Sequence, residues 1–506
     1  MIALMRQLLG LAAAGLMLSG CAHPPAARAP QIDRDEISLR LSSDIAVLAA
    51  DDMRGRKPGT PGGRAAYTYI EKRMAEVGLV SGTNDPGSYW RLPVDLLATE
   101  PHTAQLILTQ GKRRVVVPDA DGAVYTLRRR ALAFGGPGTG VPVVFVGYGD
   151  GSVLGEALAG AVAVMLADPG RDADRRAALF RQQATAVLTV LPDRAGIARV
   201  RGIEERAHVQ LASEESDTLA AYVTDSVLAD MIGARRWEGL KREAEAGTLQ
   251  PYELNLAISI EATADRREYP SQNIIGMIPG TAPGMGAVLV LAHWDHLGEC
   301  GPAEASDHIC NGAADNASGV AMMLELARRL KQGPPLPRDI YFFATTAEEP
   351  GLLGIRAFVK NPPLPLGSIV AAFNLDMMAV APKGSPVGFI GRGFDAALDA
   401  AVLDAIAASG RAVGDQALAD SFAQRQDGWA LVQAGVPTVL VSGTYGSRAV
   451  LDPFIAARYH QPGDEADVVE LGGAIEDLLL HEALIRRIAD PASYPAIDRS
   501  GPRTRP

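Results

Sequence analysis

Apolar and polar positions divide the chain into three stretches. Within residues 35–99 one helical pattern is predicted over 62–77, behind the turn-rich string Gly55-Arg56-Lys57-Pro58-Gly59-Thr60-Pro61. Residues 100–265 read differently. Short β-branched runs such as Val115-Val116-Val117 and Val141-Pro142-Val143-Val144-Phe145-Val146 alternate with Gly-rich turns, which predicts a mostly β insertion. Over 266–495 strands and helices alternate. Strands are expected at 287–292, 339–345 and 369–375, and helices at 318–331, 352–359, 394–408 and 473–488. Such alternation implies an α/β fold, a mostly parallel sheet flanked by helices on both faces. No internal repeat is visible.

The ends of the chain read as an address and a tail. Residues 1–20 have the form of a signal peptide, with Arg6 as the basic n-region and a short apolar run over 8–18. That run is shorter than the roughly 20 residues that span a bilayer. It closes on Leu18-Ser19-Gly20-Cys21, which resembles the bacterial lipobox and marks Cys21 for lipidation. Residues 21–34, rich in Pro and Ala, read as a tether, and 496–506 as a tail. The expected location is the cell envelope, lipid-anchored and facing the periplasm, or secreted. The membrane would be engaged through the N-terminal lipid alone.

Composition narrows the function. The 506 residues carry 48 Lys+Arg against 59 Asp+Glu, a net charge of −11, which argues against a sequence-independent nucleic-acid binder. An apolar fraction of 47% with 21% charged residues excludes a wholly disordered chain. With Cys21 lipidated, Cys300 and Cys310 remain, an even pair for an oxidising compartment. A disulfide between them would close a loop of about ten residues, worth about 2–3 kcal/mol. A zinc-thiolate site is the competing reading, but this spacing matches no structural zinc motif.

Candidate chemistry gathers at the predicted strand ends, where open α/β sheets bind ligands. In order these are His293 with Asp295, Asp315 before a helix, Glu348-Glu349, Asp376 and, later, His460. Each is bland alone: an Asp before a helix is usually its N-cap and a Glu-Glu pair a solvated face. Together they form the imidazole and carboxylate set that zinc accepts, with enough groups for two metals sharing a carboxylate.

Several strings then become recognisable. Ala292-His293-Trp294-Asp295-His296-Leu297-Gly298 resembles a signature of the zinc aminopeptidases related to glutamate carboxypeptidase and the transferrin receptor. Asn311-Gly312-Ala313-Ala314-Asp315-Asn316-Ala317-Ser318-Gly319 resembles their second motif, and Glu348-Glu349 with Gly351-Leu352-Leu353-Gly354 the third. Asn374-Leu375-Asp376-Met377 and Tyr459-His460 resemble the fourth and fifth, in the same order and approximate spacing. The string from Arg54 to Gly62 also fits, and Val143-Val144-Phe145-Val146-Gly147-Tyr148-Gly149 is similar to a strand of the protease-associated domain.

The resemblance implies a zinc exopeptidase fold with an inserted protease-associated domain and two zinc ions. It implies that His293, Asp315 and Asp376 hold one zinc and Asp315, Glu349 and His460 the other, with Asp315 bridging. Asp295 would orient His293 through its other ring nitrogen. Glu348 would be the general base for a water shared by the metals, and Tyr459 a donor to the oxyanion. The activity implied is a di-zinc aminopeptidase acting on the N-terminal residues of peptides. A cis peptide is often found after the bridging Asp, here at Asp315-Asn316.

Some positions depart from the pattern. Ala314 replaces a frequent Asp that is not a ligand. Gln426-Asp427-Gly428 stands where relatives often show Ser-Asp-His, so Gly428 offers no imidazole for the rim of a substrate pocket. His296 and His308 read as supporting or surface residues. Gly135-Gly136-Pro137-Gly138-Thr139-Gly140 lacks the ending of a phosphate loop. No Gly-x-Ser-x-Gly elbow occurs. Two other functions share this architecture: a single-zinc glutaminyl cyclase and a non-catalytic receptor. Retention of every expected metal ligand favours the hydrolase.

Overall fold

The computed structural model describes residues 33–83, 90–149, 158–214, 219–301 and 304–495. The leader, Cys21 and the tail lie outside the described residues.

A single large sheet organises the α/β part of the chain. Its strands run in the order Gly388–Ile390, Thr438–Ser442, Ile369–Asn374, Ala287–His293, Asp339–Thr345, Ala257–Ile278, Arg91–Gln110 and Arg113–Val116. The central strand, Ala-Val-Leu-Val-Leu-Ala-His, is buried along its whole length. An uninterrupted apolar run suits a strand covered on both faces. It pairs in parallel with Asp339–Thr345 on one side and Ile369–Asn374 on the other. The chain therefore leaves the central strand first to one side and then to the other. Such a reversal opens a crevice at the carboxyl ends of the strands.

Helices cover both faces, as the alternation of patterns implied. Helices Arg34–Leu48, Pro61–Val77, Ser318–Gln332 and Leu471–Ile488 contribute to one large apolar layer. Leu353–Lys360 and Gly428–Gln433 contribute to the opposite layer. The helix expected over 62–77 begins one residue earlier. Thr60 caps it by accepting the Gly63 N–H at 3.1 Å, and Pro61 takes the first turn, where its missing N–H costs nothing. Helix Arg34–Leu48 starts on the Asp33 cap and occupies most of a stretch in which no helix was expected.

Strands Arg91–Gln110 and Ala257–Ile278 pair antiparallel over nearly their full lengths and carry the chain out of the large sheet. Residues 99 and 266, the sequence-based edges of the insertion, face each other on this ladder. The insertion differs from the mostly β expectation. Its second sheet runs Tyr252–Glu253, Val143–Phe145, Val162–Leu166, Ala186–Leu191, Leu219–Thr224, Gly122–Thr126, and its four inner strands are parallel. Helices Asp172–Arg181, Arg194–Glu204, Asp225–Ile232 and Ala234–Glu245 accompany it. Parallel neighbours need such crossovers. The first of these helices buries only Arg175 and Leu179, too thin a stripe to register as a helical period. Among the described residues no helix is long and apolar enough to cross a membrane.

Candidate metal centre

The central strand delivers His293 to the crevice at its carboxyl end, and the neighbouring parallel strands end just before Glu348-Glu349 and Asp376. Asp315 arrives from the irregular turn that opens helix Ser318–Gln332. His460 comes from the loop after helix Arg448–Ala457. Chain segments more than 160 residues apart thus meet.

Their geometry is specific. His293 Nε2 lies 3.3 Å from Asp315 Oδ1 and 3.4 Å from Asp376 Oδ1. His460 Nε2 lies 3.4 Å from Asp315 Oδ2 and 3.0 Å from Glu349 Oε2. The two oxygens of one carboxylate therefore face two different imidazoles. Ligand atoms of His293, Asp315 and Glu349 lie within 4.8 Å of one another, as do those of His293, Glu348 and Asp376.

The backbone is bent to achieve this. Ala347, Met377 and His460 all have positive φ although none is glycine. Such conformations cost about 1–3 kcal/mol each and cluster where surrounding structure imposes them. The Asp315-Asn316 peptide is cis. Gly319 is required by close approach: a Cβ there would stand 2.2 Å from Asn316 Oδ1 and 2.3 Å from the Leu375 carbonyl.

Two expectations change in detail. His293 Nδ1 faces the backbone carbonyl of Asp295 at 3.1 Å, and not its carboxylate. The Asp295 carboxylate instead accepts the Glu348 N–H at 3.1 Å and so orients the Glu-Glu turn. The Glu348 N–H takes the Asp295 side chain, while the Asp295 carbonyl lies beside the ring. Gln426-Asp427-Gly428 is buried. A Cβ on Gly428 would stand 2.5 Å from Gln426 Oε1, which accepts the Asn374 amide at 2.8 Å, while Asp427 accepts the Thr345 hydroxyl.

Further groups support the site, of which Asp464 and Tyr445 lay in no motif. Arg56 is fully buried and donates to the carbonyls of Leu48, Trp294, Asn311 and Gly312 at 2.7, 2.8, 2.5 and 2.9 Å. It ties the His293 and Asp315 loops to the N-terminal helices. Asp464 accepts the N–H groups of Ala314 at 2.8 Å and Asp315 at 3.0 Å. His296 contacts Glu349 through Nδ1. Tyr459 stacks its ring on His460, with centroids 3.8 Å apart. The phenol of Tyr445, buried and beside Asp376, Asp315, Tyr459 and Glu348, is pushed well above its usual range. His308 is half-buried and lines a separate acidic cavity. Cys300 and Cys310 form a disulfide with Cα atoms 5.7 Å apart.

Electrostatics describe a site with too many carboxylates. Burial would lower the imidazole of His293, but Glu348, Asp315 and Asp376 outweigh it and hold that ring well above its usual range. Burial likewise opposes, and Asp315 and Glu349 overcome it, in raising His460 to about 10. Burial raises Asp295 to about 7 and Asp427 to about 6. Glu348 is pushed well above its range by burial and by neighbouring acids.

The donor set fits zinc. Two imidazoles and three carboxylates converge with mixed N and O chemistry. Buried like charges at this spacing call for cations between them.

Comparison with known proteins agrees. Residues 273–479 match the model described as Peptidase family M28. The chain is 35% identical over 145 residues to "Aminopeptidase YwaD" of Bacillus subtilis, a match covering 28% of each chain. It is 32% identical over 122 residues to "Probable lipoprotein aminopeptidase LpqL" of Mycobacterium tuberculosis, covering 24% of this chain and 22% of that protein. The matches thus span less than a third of either curated relative. An aminopeptidase from Aneurinibacillus sp. strain AM-1 shares the fold beyond the matched stretch, with a TM-score of 0.55 at 18% identity over 92% of this chain and 97% of that one.

Proposed function

We propose that the protein is a metal-dependent exopeptidase, an aminopeptidase that removes N-terminal residues from peptides. One observation carries this reading: the Asp315 carboxylate turns one oxygen to His293 and the other to His460. That arrangement is what a carboxylate shared by two cations requires. His293, Asp315 and Asp376 would hold one zinc, and Asp315, Glu349 and His460 the second.

Bound zinc supplies Lewis acidity, which polarises a carbonyl and acidifies water. The remaining work falls to the chain. Glu348 takes the proton of the attacking water and returns it to the leaving amine. Its burial among acids favours a carboxyl that readily holds a proton, as the second half of that cycle needs. Asp295 fixes the turn that carries Glu348, and its backbone carbonyl fixes the His293 ring. Tyr459, stacked on His460, is our candidate donor to the developing oxyanion.

The inserted unit is read as a protease-associated domain on the strength of the 143–149 string. The leader pattern and Cys21 support a lipid-anchored place in the cell envelope. The test of function is release of the N-terminal residue from aminoacyl and peptidyl amides by zinc-loaded protein. Equal activity in Glu348→Gln, or cyclisation of N-terminal Gln without hydrolysis, would reject the reading.

A further inference from the structure

The long paired strands form the middle of a ribbon. Strand Arg130–Gly135 pairs with Ala257–Ile278 on one side, and Arg113–Val116 pairs with Arg91–Gln110 on the other. Every pairing is antiparallel, so directly opposed residues share a face. Leu106, Leu108, Ala133, Ile258, Ile260 and Ala262 belong to the apolar core of the inserted unit. The positions between them point the other way, where a half-solvated antiparallel sheet ordinarily carries polar residues.

The outer face departs from that rule. The register aligns Phe134, Ser259, Ile107 and Val116 in one row across the ribbon. Leu132 stands beside the row, opposite Glu261. Phe134 is 54% exposed, Leu132 53% and Val116 48%, although each is a large apolar side chain. Single exposed apolar residues are ordinary, but a contiguous patch with a polar rim marks an interaction surface.

The rim is basic. Arg114 opposes Thr109 at one end of the face, and Arg130 opposes Thr263 at the other. Glu261 matches Arg130 at 2.6 Å. Arg114 is exposed, as are Lys112 and Arg129 at the two ends, and among the described residues no carboxylate pairs with these three. A chain of net charge −11 thus gathers unpaired cations around its exposed apolar row.

These cations decide what can cover the row. Basic side chains on the edge strand Arg113–Val116 discourage pairing with a further strand. A second copy laid across the face in antiparallel fashion would set cations against cations, because they stand at both ends. An anionic lipid surface suits both features: its headgroups meet the cations, and the apolar side chains enter the acyl boundary.

We propose that this face of the ribbon docks on the surface of an anionic membrane, with Phe134, Leu132 and Val116 entering the lipid and Arg114, Lys112 and Arg129 meeting its headgroups. The contact stands independently of the peptidase reading and of any lipid on Cys21.

The test is flotation of the zinc-loaded mature chain with phosphatidylglycerol vesicles, in a Cys21→Ser background so that no acyl chain contributes. Binding is expected, weakened by added salt and much weaker with phosphatidylcholine vesicles. Phe134→Ser and Leu132→Ser should each reduce it about tenfold, and Arg114→Gln about fivefold. All three side chains are exposed, so the variants are expected to keep the urea midpoint of the parent. The proposal is overturned if phosphatidylglycerol vesicles do not bind the chain, if phosphatidylcholine vesicles bind it equally well, or if all three variants bind like the parent. It is equally overturned by sedimentation showing a dimer that Phe134→Ser dissolves, which would assign the face to a second copy.

Discussion

Asp464 accepts the backbone N–H of Asp315 at 3.0 Å, so the carboxylate that faces both imidazoles is held by its own main chain from 149 residues away. The Asp464 carboxylate also takes the Ala314 N–H. Asp464→Ala would leave two buried donors without partners and free the loop that aims Asp315. Supporting groups of this kind typically tune metal affinity 10–100-fold. Zinc affinity measured by chelator competition is expected to fall by about that factor. An unchanged affinity would mean that the loop holds its shape without Asp464.

Glu348→Gln separates binding from chemistry. The amide keeps the shape and the N–H to Asp295 but cannot take a proton. Hydrolysis is expected to drop about 10²–10⁴-fold while zinc content stays at the parent level. Asp315→Asn should behave in the opposite way and lose metal.

Arg56 is an anchor whose cost of removal is stability. Its guanidinium meets four carbonyls from three chain segments, and burial lowers its pKa to about 10. Arg56→Met would leave these carbonyls unmet, a loss of about 3 kcal/mol or more by the usual value of bonds to charged groups. Urea unfolding should show a lower midpoint, with metal affinity falling alongside it.

Metal removal should itself destabilise the fold. The site gathers carboxylates that repel one another once cations leave, and a ligand bound only by the native state adds stability by mass action. Chelation is expected to lower the melting temperature, with recovery on adding zinc. Chelation without a shift would remove the metals from any structural role.

In the inserted unit, the Glu204 carboxylate raises the His208 imidazole above its ordinary 6.5, against the opposing effect of burial. A raised histidine stabilises the fold fully below the unfolded value and loses that contribution as pH climbs through the folded one. The advantage of the parent over His208→Gln should thus be largest below about pH 6.5 and shrink above it. Half-exposure keeps it under about 1 kcal/mol. Unfolding free energies at several pH values would check the sign.

Much of the fold was legible locally. The apolar run at 287–292 and the alternation that follows predict a parallel α/β sheet because burial on both faces leaves a mark within a few residues. Candidate ligands could be read for the same reason: strand ends and short motifs keep each side chain near its own signature. The parallel insertion was not legible. Its polar helices carry thin apolar stripes, and pairing between distant strands leaves no local period.

By itself, then, the sequence determined which residues could bind metal, which elements would carry them and where the chain pauses between them. Tertiary structure alone decided that Asp315 would split its oxygens between two imidazoles, and that the Asp295 carbonyl, not its carboxylate, would hold His293. It also decided that Arg56 and Asp464 would brace the loops from afar. The Arg56 and Asp464 braces on those loops join residues 149 to 256 positions apart along the chain, whereas the Asp295 contact depends on the turn at a strand end. Directional bonds at such separations follow from packing of whole layers, which no short window of sequence encodes.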